Sequence, residues 1–368
     1  MVRFRRAPAL LSLLVVAACG EELVLEEQDV VEDEPAAAEP EEPAPLAPME
    51  PIVVEPEVLE LWEDPARGPP YPIVLVHGFS GFTDLGPLDY FFQVVDELSA
   101  EGHVVYAPAL PPYNGSDDRA RVLARVIDDV LAETHKRKVH LIAHSQGGVD
   151  SRRVVAGLGY ADKVASLTTI ASPHRGTDLA DVAKSAPDGV LNPAGQFLGW
   201  LLGLLDHPPS DGDWASDEGG DPWTPEMVDA VEQLSTDGMA AFNEQHPDPE
   251  GLPIFSVVGY SNLRAAPDYC EDGVLFERTG RVDPVDPLLV STGLILSGAS
   301  LFNPRANDGI VPSDSMVWGT LLGCVPADHF DEVGQIGDLI PHVMSGFDHL
   351  DMFRRLIDNA RSVEALEE

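Results

Sequence analysis

The chain has 368 residues, with 63 acidic against 22 basic side chains and a formal net charge of −41 at pH 7. That length accommodates one large domain with residues to spare. A balance this acidic repels polyanions, which excludes nucleic acid as a partner and electrostatic docking onto anionic lipid; it fits a well-solvated surface or one adapted to high salt.

The first 18 residues stand apart. Arg3, Arg5 and Arg6 precede an apolar run from Ala7 to Ala18 that ends in Val16-Ala17-Ala18-Cys19. A basic start, an apolar stretch too short to span a bilayer and a small-residue cleavage site make a secretory signal. With cysteine at the cleavage point, residues 1–18 resemble a bacterial lipoprotein signal, which implies that Cys19 becomes the lipid-bearing first residue. The alternative is an ordinary signal peptide with an incidental cysteine. Two or more acyl chains on Cys19 give a stable membrane anchor where one does not. Gly20 is not the acidic residue associated with inner-membrane retention, which points to the outer membrane, facing the periplasm or the outside. Residues 19–69 then read as a tether. Between Glu21 and Asp64 there is no Lys or Arg, and Glu, Pro and Ala dominate. Such a stretch buries too little apolar surface to fold and repels itself into an extended form.

The folded body is expected over 70–368. Strands are predicted at 73–77, 103–107, 139–143, 164–171 and 254–260, and helices at about 88–100, 118–134 and 149–157. Within 118–134, Val122, Leu123, Val126, Ile127, Val130 and Leu131 fall on one face. Strands alternating with helices imply right-handed crossovers and a mostly parallel sheet with helices on both faces, an α/β fold. An insertion at about 184–224 carries Phe197, Leu198, Trp200, Leu201, Leu202, Leu204 and Leu205. A helix apolar all round is a core helix or, with loop-rich flanks and length the sheet does not need, a lid over the site.

Three short segments carry chemistry. The strand at 139–143 runs into Ala143-His144-Ser145-Gln146-Gly147. Small-x-Ser-x-Gly after a strand sets the serine on a sharp turn into a helix, with its hydroxyl clear of the backbone. Tyr71 to Phe79 reads as a buried strand running into His77-Gly78-Phe79, where an α/β-hydrolase places a donor of its oxyanion hole. Downstream lie an acid in Asn307-Asp308-Gly309 and a histidine in Asp328-His329-Phe330-Asp331. The order Ser, Asp, His is the one that fold uses. A serine hydroxyl is a poor nucleophile until a base takes its proton, so Ser145 needs His329, and His329 needs Asp308 to hold its tautomer. His342 has no motif around it, and His349 reads as a capping and packing residue of a terminal amphipathic helix. His77, His144 and His174 precede the acid and read as structural. Asp314 and Asp286 are weaker choices for the acid, and Asp308 on its own also reads as a plain turn aspartate. The backbone amides of Phe79 and Gln146 are the expected oxyanion donors.

The segments YPIVLVHGFSGF, AHSQGG, VASLTTIASPHRGTDLAD, LSTDGMAAFNEQHP, NDGIVP and DHFDEVGQ resemble successive landmarks of the bacterial true lipases, from about Pro70 to about Leu339. These are secreted triacylglycerol lipases of the α/β-hydrolase fold, many of which need a dedicated foldase. The resemblance implies a structural calcium held by Asp331, Gln335 and Leu339, completed by Asp283 or, second, Asp286 of the DPVD segment. Oxygen ligands suit such a hard cation, which would fix the His329 loop and take no part in acyl transfer; the alternative is surface carboxylates. It also implies a disulfide. With Cys19 lipidated, Cys270 and Cys324 remain as a pair, although the family's second cysteine falls where this chain has Asp314.

The expected function is that of a lipid-anchored serine esterase, a triacylglycerol lipase working at a lipid interface through an acyl-enzyme on Ser145. The alternatives are a carboxylesterase for short soluble esters and a non-catalytic binding module on the same fold.

Overall fold

The computed structural model describes residues 65–79, 90–184, 225–261, 266–286, 289–297, 305–335 and 345–366. Cys19, Leu339, His342 and all of the expected lid except Lys184 lie outside these residues.

Six parallel strands form one sheet in the order β2-β1-β3-β4-β5-β6. They are β1 (Ile73–Val76), β2 (Val105–Tyr106), β3 (Val139–His144), β4 (Val164–Ile170), β5 (Ile254–Gly259) and β6 (Thr320–Val325). Strands buried on both faces are near-continuous runs of Val, Ile and Leu, and β1 (IVLV) is wholly buried. Successive side chains alternate between the two faces. Ile73 and Leu75 pack with Val94 and Leu98 of α1 (Val94–Ala100) and with Phe353, Leu356 and Ile357 of the C-terminal helix. Val74 and Val76 pack with Leu123, Ile127 and Val130 of α2 (Ser116–Thr134). Helices therefore cover both faces, as the alternating pattern requires.

The remaining helices are α3 (Gln146–Arg152), α4 (Asp178–Lys184), α5 (Pro225–Leu234), α6 (Thr236–Gln245), α7 (Val290–Leu296), α8 (Ser313–Met316) and α9 (His349–Glu364). Among the described residues no helix is long and apolar enough to cross a membrane.

Beyond shifts of one or two residues at element ends, four features differ from those expected. β6 carries no strand signal in the sequence, because its Thr-Leu-Leu-Gly-Cys-Val run is broken by a glycine, here at φ 140°, and has no alternation. α1 starts at Val94 because Gln93 sits in the left-handed region at φ 60°, which no helix can continue through. α3 starts at Gln146, three residues before the apolar periodicity, because the turn at Ser145 leads straight into it. The packed body also reaches back to Pro65, ahead of residue 70, since Lys136 Nζ donates to the carbonyls of Ala66 and Gly68.

Cys270 and Cys324 are bonded, tying the 3₁₀ turn Asp268–Asp272 to β6 across a separation of 54 residues. Closing a loop of that size in the unfolded chain contributes about 4 kcal/mol in the chain-entropy account. The closed loop contains Asp308, so the bond confines the segment that carries the acid.

Candidate active site

Ser145 caps α3 with φ 56° and ψ −132°, a conformation rarely adopted by a residue with a side chain. Such strain costs about 1–3 kcal/mol and persists only where the surroundings enforce it. Here they do. A Cβ on Gly147 would meet the backbone carbonyls of Val76 and His77, and one on Gly78 would lie 2.6 Å from Ser145 Cβ and 3.0 Å from its Oγ. Only glycine lets α3 drop onto the end of β1, and only glycine lets the His77-Gly78-Phe79 loop cross over the serine.

The structure brings Ser145, His329 and Asp308 together at the carboxyl ends of the strands, where ligands bind in open α/β sheets. Ser145 Oγ lies 2.9 Å from His329 Nε2, and His329 Nδ1 lies 2.6 Å from Asp308 Oδ2. A carboxylate only accepts, so Nδ1–H donates to Asp308 and Nε2 is left with its lone pair toward the serine hydroxyl. The other oxygen of Asp308 accepts the amides of Ile310 and Val311 at 2.8 and 2.7 Å, and its backbone carbonyl accepts the His329 amide at 3.0 Å. All three residues are buried. Asp314, the weaker choice for the acid, pairs with Arg305 at the surface, Asp286 gives its amide to Asp328, and His349 opens α9 with Nε2 at 3.0 Å from the Phe92 carbonyl.

Buried polar residues outside the Ser145–His329–Asp308 line surround this chain of hydrogen bonds. Arg119 is completely buried in α2 and donates to Asp150 Oδ2 at 2.7 Å, to the Pro111 carbonyl at 2.7 Å and to the His77 carbonyl at 2.6 Å. It thus joins α2, the helix after Ser145 and the end of β1. Its position was legible as the one cation in the buried stripe Ser116, Arg119, Ala120, Leu123, Ala124, Ile127, Val130. On the other side Tyr90 Oη lies 2.7 Å from His144 Nδ1, and His144 Nε2 lies 3.1 Å from Glu332 Oε2. Gly78 N–H donates to Tyr90 Oη at 2.9 Å, so the phenol joins the amide of the loop over Ser145 to the His144 and Glu332 pair. The His144 ring sits 4.5 Å from that of His329.

Burial dominates the titration of this shell. It pulls the pKa of His77 down to about 3, with the Arg119 charge acting in the same direction. Burial, then the neighbouring His329, holds His144 well below the usual imidazole range. Glu332 is held well above the usual carboxylate range by burial and then by Asp308. Burial thus disfavours a charge on each of these three groups.

A second cluster lies beyond the histidine. Carboxylate oxygens of Asp283, Asp328 and Asp331 fall within 4.8 Å of one another. Asp283 Oδ2 is buried with no hydrogen-bond partner. Burial, then the charges of Asp328 and Asp286, push the pKa of Asp283 up to about 8. Burial raises that of Asp328 to about 6. Crowded oxygen donors of one sign fit a hard cation such as Ca²⁺. Of the expected ligands the structure brings Asp283 and Asp331 together; Gln335 closes the turn after them through its amide to the Phe330 carbonyl. Asp328 was not among them, although it directly precedes His329 in the motif.

Residues 73–319 match the alpha/beta hydrolase family. A triacylglycerol lipase of Vibrio cholerae is 31% identical over 297 residues, covering 77% of this chain and 86% of that protein. One of Pseudomonas fragi is 30% identical over 274 residues, covering 72% and 88%. Among solved structures, the lipase of Staphylococcus hyicus superposes with a TM-score of 0.54 at 17% identity, covering 82% of this chain and 99% of that one, a likeness of fold.

Proposed function

Because the chain belongs to the alpha/beta hydrolase family and is a carboxylic ester hydrolase, we propose that it is a triacylglycerol lipase working through an acyl-enzyme on Ser145. The observation that carries the mechanism is the unbroken line from Ser145 Oγ to His329 Nε2 at 2.9 Å and from His329 Nδ1 to Asp308 Oδ2 at 2.6 Å. In the first half-reaction Oγ attacks the ester carbonyl carbon while Nε2 takes its proton. The carbonyl oxygen becomes an oxyanion facing the amides of Phe79 and Gln146, each donor worth about 3–4 kcal/mol at the transition state. Asp308 stabilises the imidazolium. Collapse breaks the bond to the alcohol, which leaves with the proton from Nε2. In the second half-reaction water gives its proton to Nε2 and attacks the acyl carbon; collapse breaks the bond to Oγ, which takes that proton back from Nε2, and frees the fatty acid.

Asp283, Asp328 and Asp331, with Gln335 and Leu339, would hold Ca²⁺. When bound, the ion supplies a cross-link between the 283–286 segment and the turn after His329, and no step of acyl transfer. The lipase relatives support an acyl ester or triglyceride as substrate. The signal-like run ending at Cys19 supports export and a lipid anchor at the outer membrane, and the resemblance to the true lipases supports folding with a foldase.

The test is hydrolysis of emulsified triglycerides and a chain-length series of p-nitrophenyl esters by the wild type and Ser145→Ala, with and without a calcium chelator. The serine variant should lose on the order of 10⁶ in turnover, and the chelator should inactivate slowly and reversibly. Turnover that survives in Ser145→Ala refutes the acyl-enzyme. Activity confined to butyryl esters, with no rise at an emulsion surface, replaces the lipase by a short-chain carboxylesterase.

A further inference from the structure

An oxyanion donor is only as useful as its aim, since about 1 Å of misplacement at a reacting centre costs about a hundredfold in rate. The Phe79 amide sits in a loop, not a helix or strand, so something else has to aim it. Two consecutive peptide units form the loop over Ser145, and they carry four polar groups. The His77 carbonyl accepts from the Arg119 guanidinium at 2.6 Å. The Gly78 N–H donates to Tyr90 Oη at 2.9 Å. The Gly78 carbonyl, which shares its peptide plane with the Phe79 N–H, lies 2.9 Å from His77 Nδ1. A carbonyl only accepts, so Nδ1 carries the proton, and Nε2 accepts the Leu110 amide at 2.8 Å. Both nitrogens of His77 are thus committed in the neutral form. The fourth group, Phe79 N–H, has no hydrogen-bond partner among the described residues.

We propose that His77, Arg119 and Tyr90 are the positioning residues of the oxyanion hole: they pin three of the four polar groups in these peptide units and leave the Phe79 N–H as the one donor offered to substrate. The proposal rests on the Ser145 acyl-enzyme reading. Tyr90 has the further property that its other bond runs to His144, beside the nucleophile, and from there to Glu332, three residues past His329. The oxyanion loop, the nucleophile and the histidine loop are therefore tied by one line of side chains. Tyr90 acts on the oxyanion donor through the Gly78 amide. It also withdraws that amide, which explains why Phe79 and not Gly78 is the donor.

Tyr90→Phe tests this. The ring remains packed against Phe91, His77 and His144, and only the hydroxyl goes. On p-nitrophenyl butyrate, kcat should fall by about 10- to 100-fold, a partial loss against the 10²–10³ of a missing donor, with KM within about twofold. Inhibition by an alkyl trifluoromethyl ketone, whose adduct with a serine carries the same oxyanion, should weaken by the same factor. His77→Asn provides a second variant, with the same parallel loss expected. A hydroxyl that merely stabilised the fold would lower the melting temperature and leave both quantities unchanged for folded enzyme. The proposal is overturned if Tyr90→Phe keeps kcat within twofold, or if kcat falls while ketone inhibition does not. Ser145→Ala assayed alongside separates the two readings: activity there removes the acyl-enzyme itself, whereas an inactive Ser145→Ala beside a wild-type-like Tyr90→Phe removes only the clamp.

Discussion

Replacing Gly147 by alanine should cost both activity and stability, and Gly157→Ala should cost little of either. A Cβ at 147 would lie 2.7 Å from the His77 carbonyl oxygen, with the Val76 carbonyl oxygen closer still. Carbon and carbonyl oxygen settle near about 3.3 Å, so the end of β1 and the start of α3 must part by at least about 0.6 Å. Both contacts are backbone, so no rotamer change relieves them. Overpacking of this kind costs about 1–3 kcal/mol. The displaced atoms belong to the loop that crosses Ser145, and a shift of that size at a reacting centre costs on the order of tenfold to a hundredfold in kcat. At Gly157 the added carbon would sit even closer to its neighbour, but that neighbour is the Arg153 guanidinium, which pairs with the exposed Asp117. A flexible side chain held by a surface pair moves at a cost of about 0–1 kcal/mol. Urea unfolding and p-nitrophenyl ester kinetics on both variants decide the matter. A Gly147→Ala enzyme with wild-type kcat, or a Gly157→Ala enzyme the more impaired of the two, refutes the argument that the kind of atom approached matters more than its distance.

Asp308→Asn should lower kcat by about 10⁴ with KM little changed, because an amide can present its NH₂ to Nδ1 and favour the tautomer whose Nε2 carries a proton toward Ser145; steady-state kinetics with a loss under tenfold would transfer the role to another carboxylate. His174 is completely buried, and its pKa is held well below the usual imidazole range by burial, then by Arg152 and Arg175. The native state therefore binds fewer protons at this site than the unfolded chain below about pH 6.5, and stability there is lost as pH falls, by up to about 1.4 kcal/mol per pH unit. His174→Gln should remove that dependence, so urea unfolding at pH 7, 6 and 5 should show the wild type falling faster than the variant, and parallel curves would refute it.

What could be read from the chain and what could not divide along a physical line. Ser145, Asp308 and His329 were legible because each sits in a turn whose local geometry demands neighbours of a particular kind: Gly147 beneath the serine, Gly309 after the acid, a loop rather than a helix around the histidine. The sheet was legible because β1, β3, β4 and β5 are apolar runs between helical stretches; β6 was missed because an edge strand with a glycine has no period to detect. Asp328 of the acidic cluster is not marked by the family spacing, which directs attention to Asp331, and only the fold brings Asp283 beside both.

Arg119, Asp150, Tyr90 and Glu332 belong to a different class. Each is a buried polar group, and nothing near it in sequence states its partner, which lies 31 residues away for Arg119 and Asp150 and 188 for His144 and Glu332. A buried charge or phenol without a partner costs several kcal/mol, so every such residue in a core stripe announces a bond to something distant. The identity of that something is a tertiary fact. In this protein the partners converge on the two peptide units over Ser145. On the acyl-enzyme reading the motif residues supply the reacting groups, while the buried polar residues between them set the distances at which those groups can react.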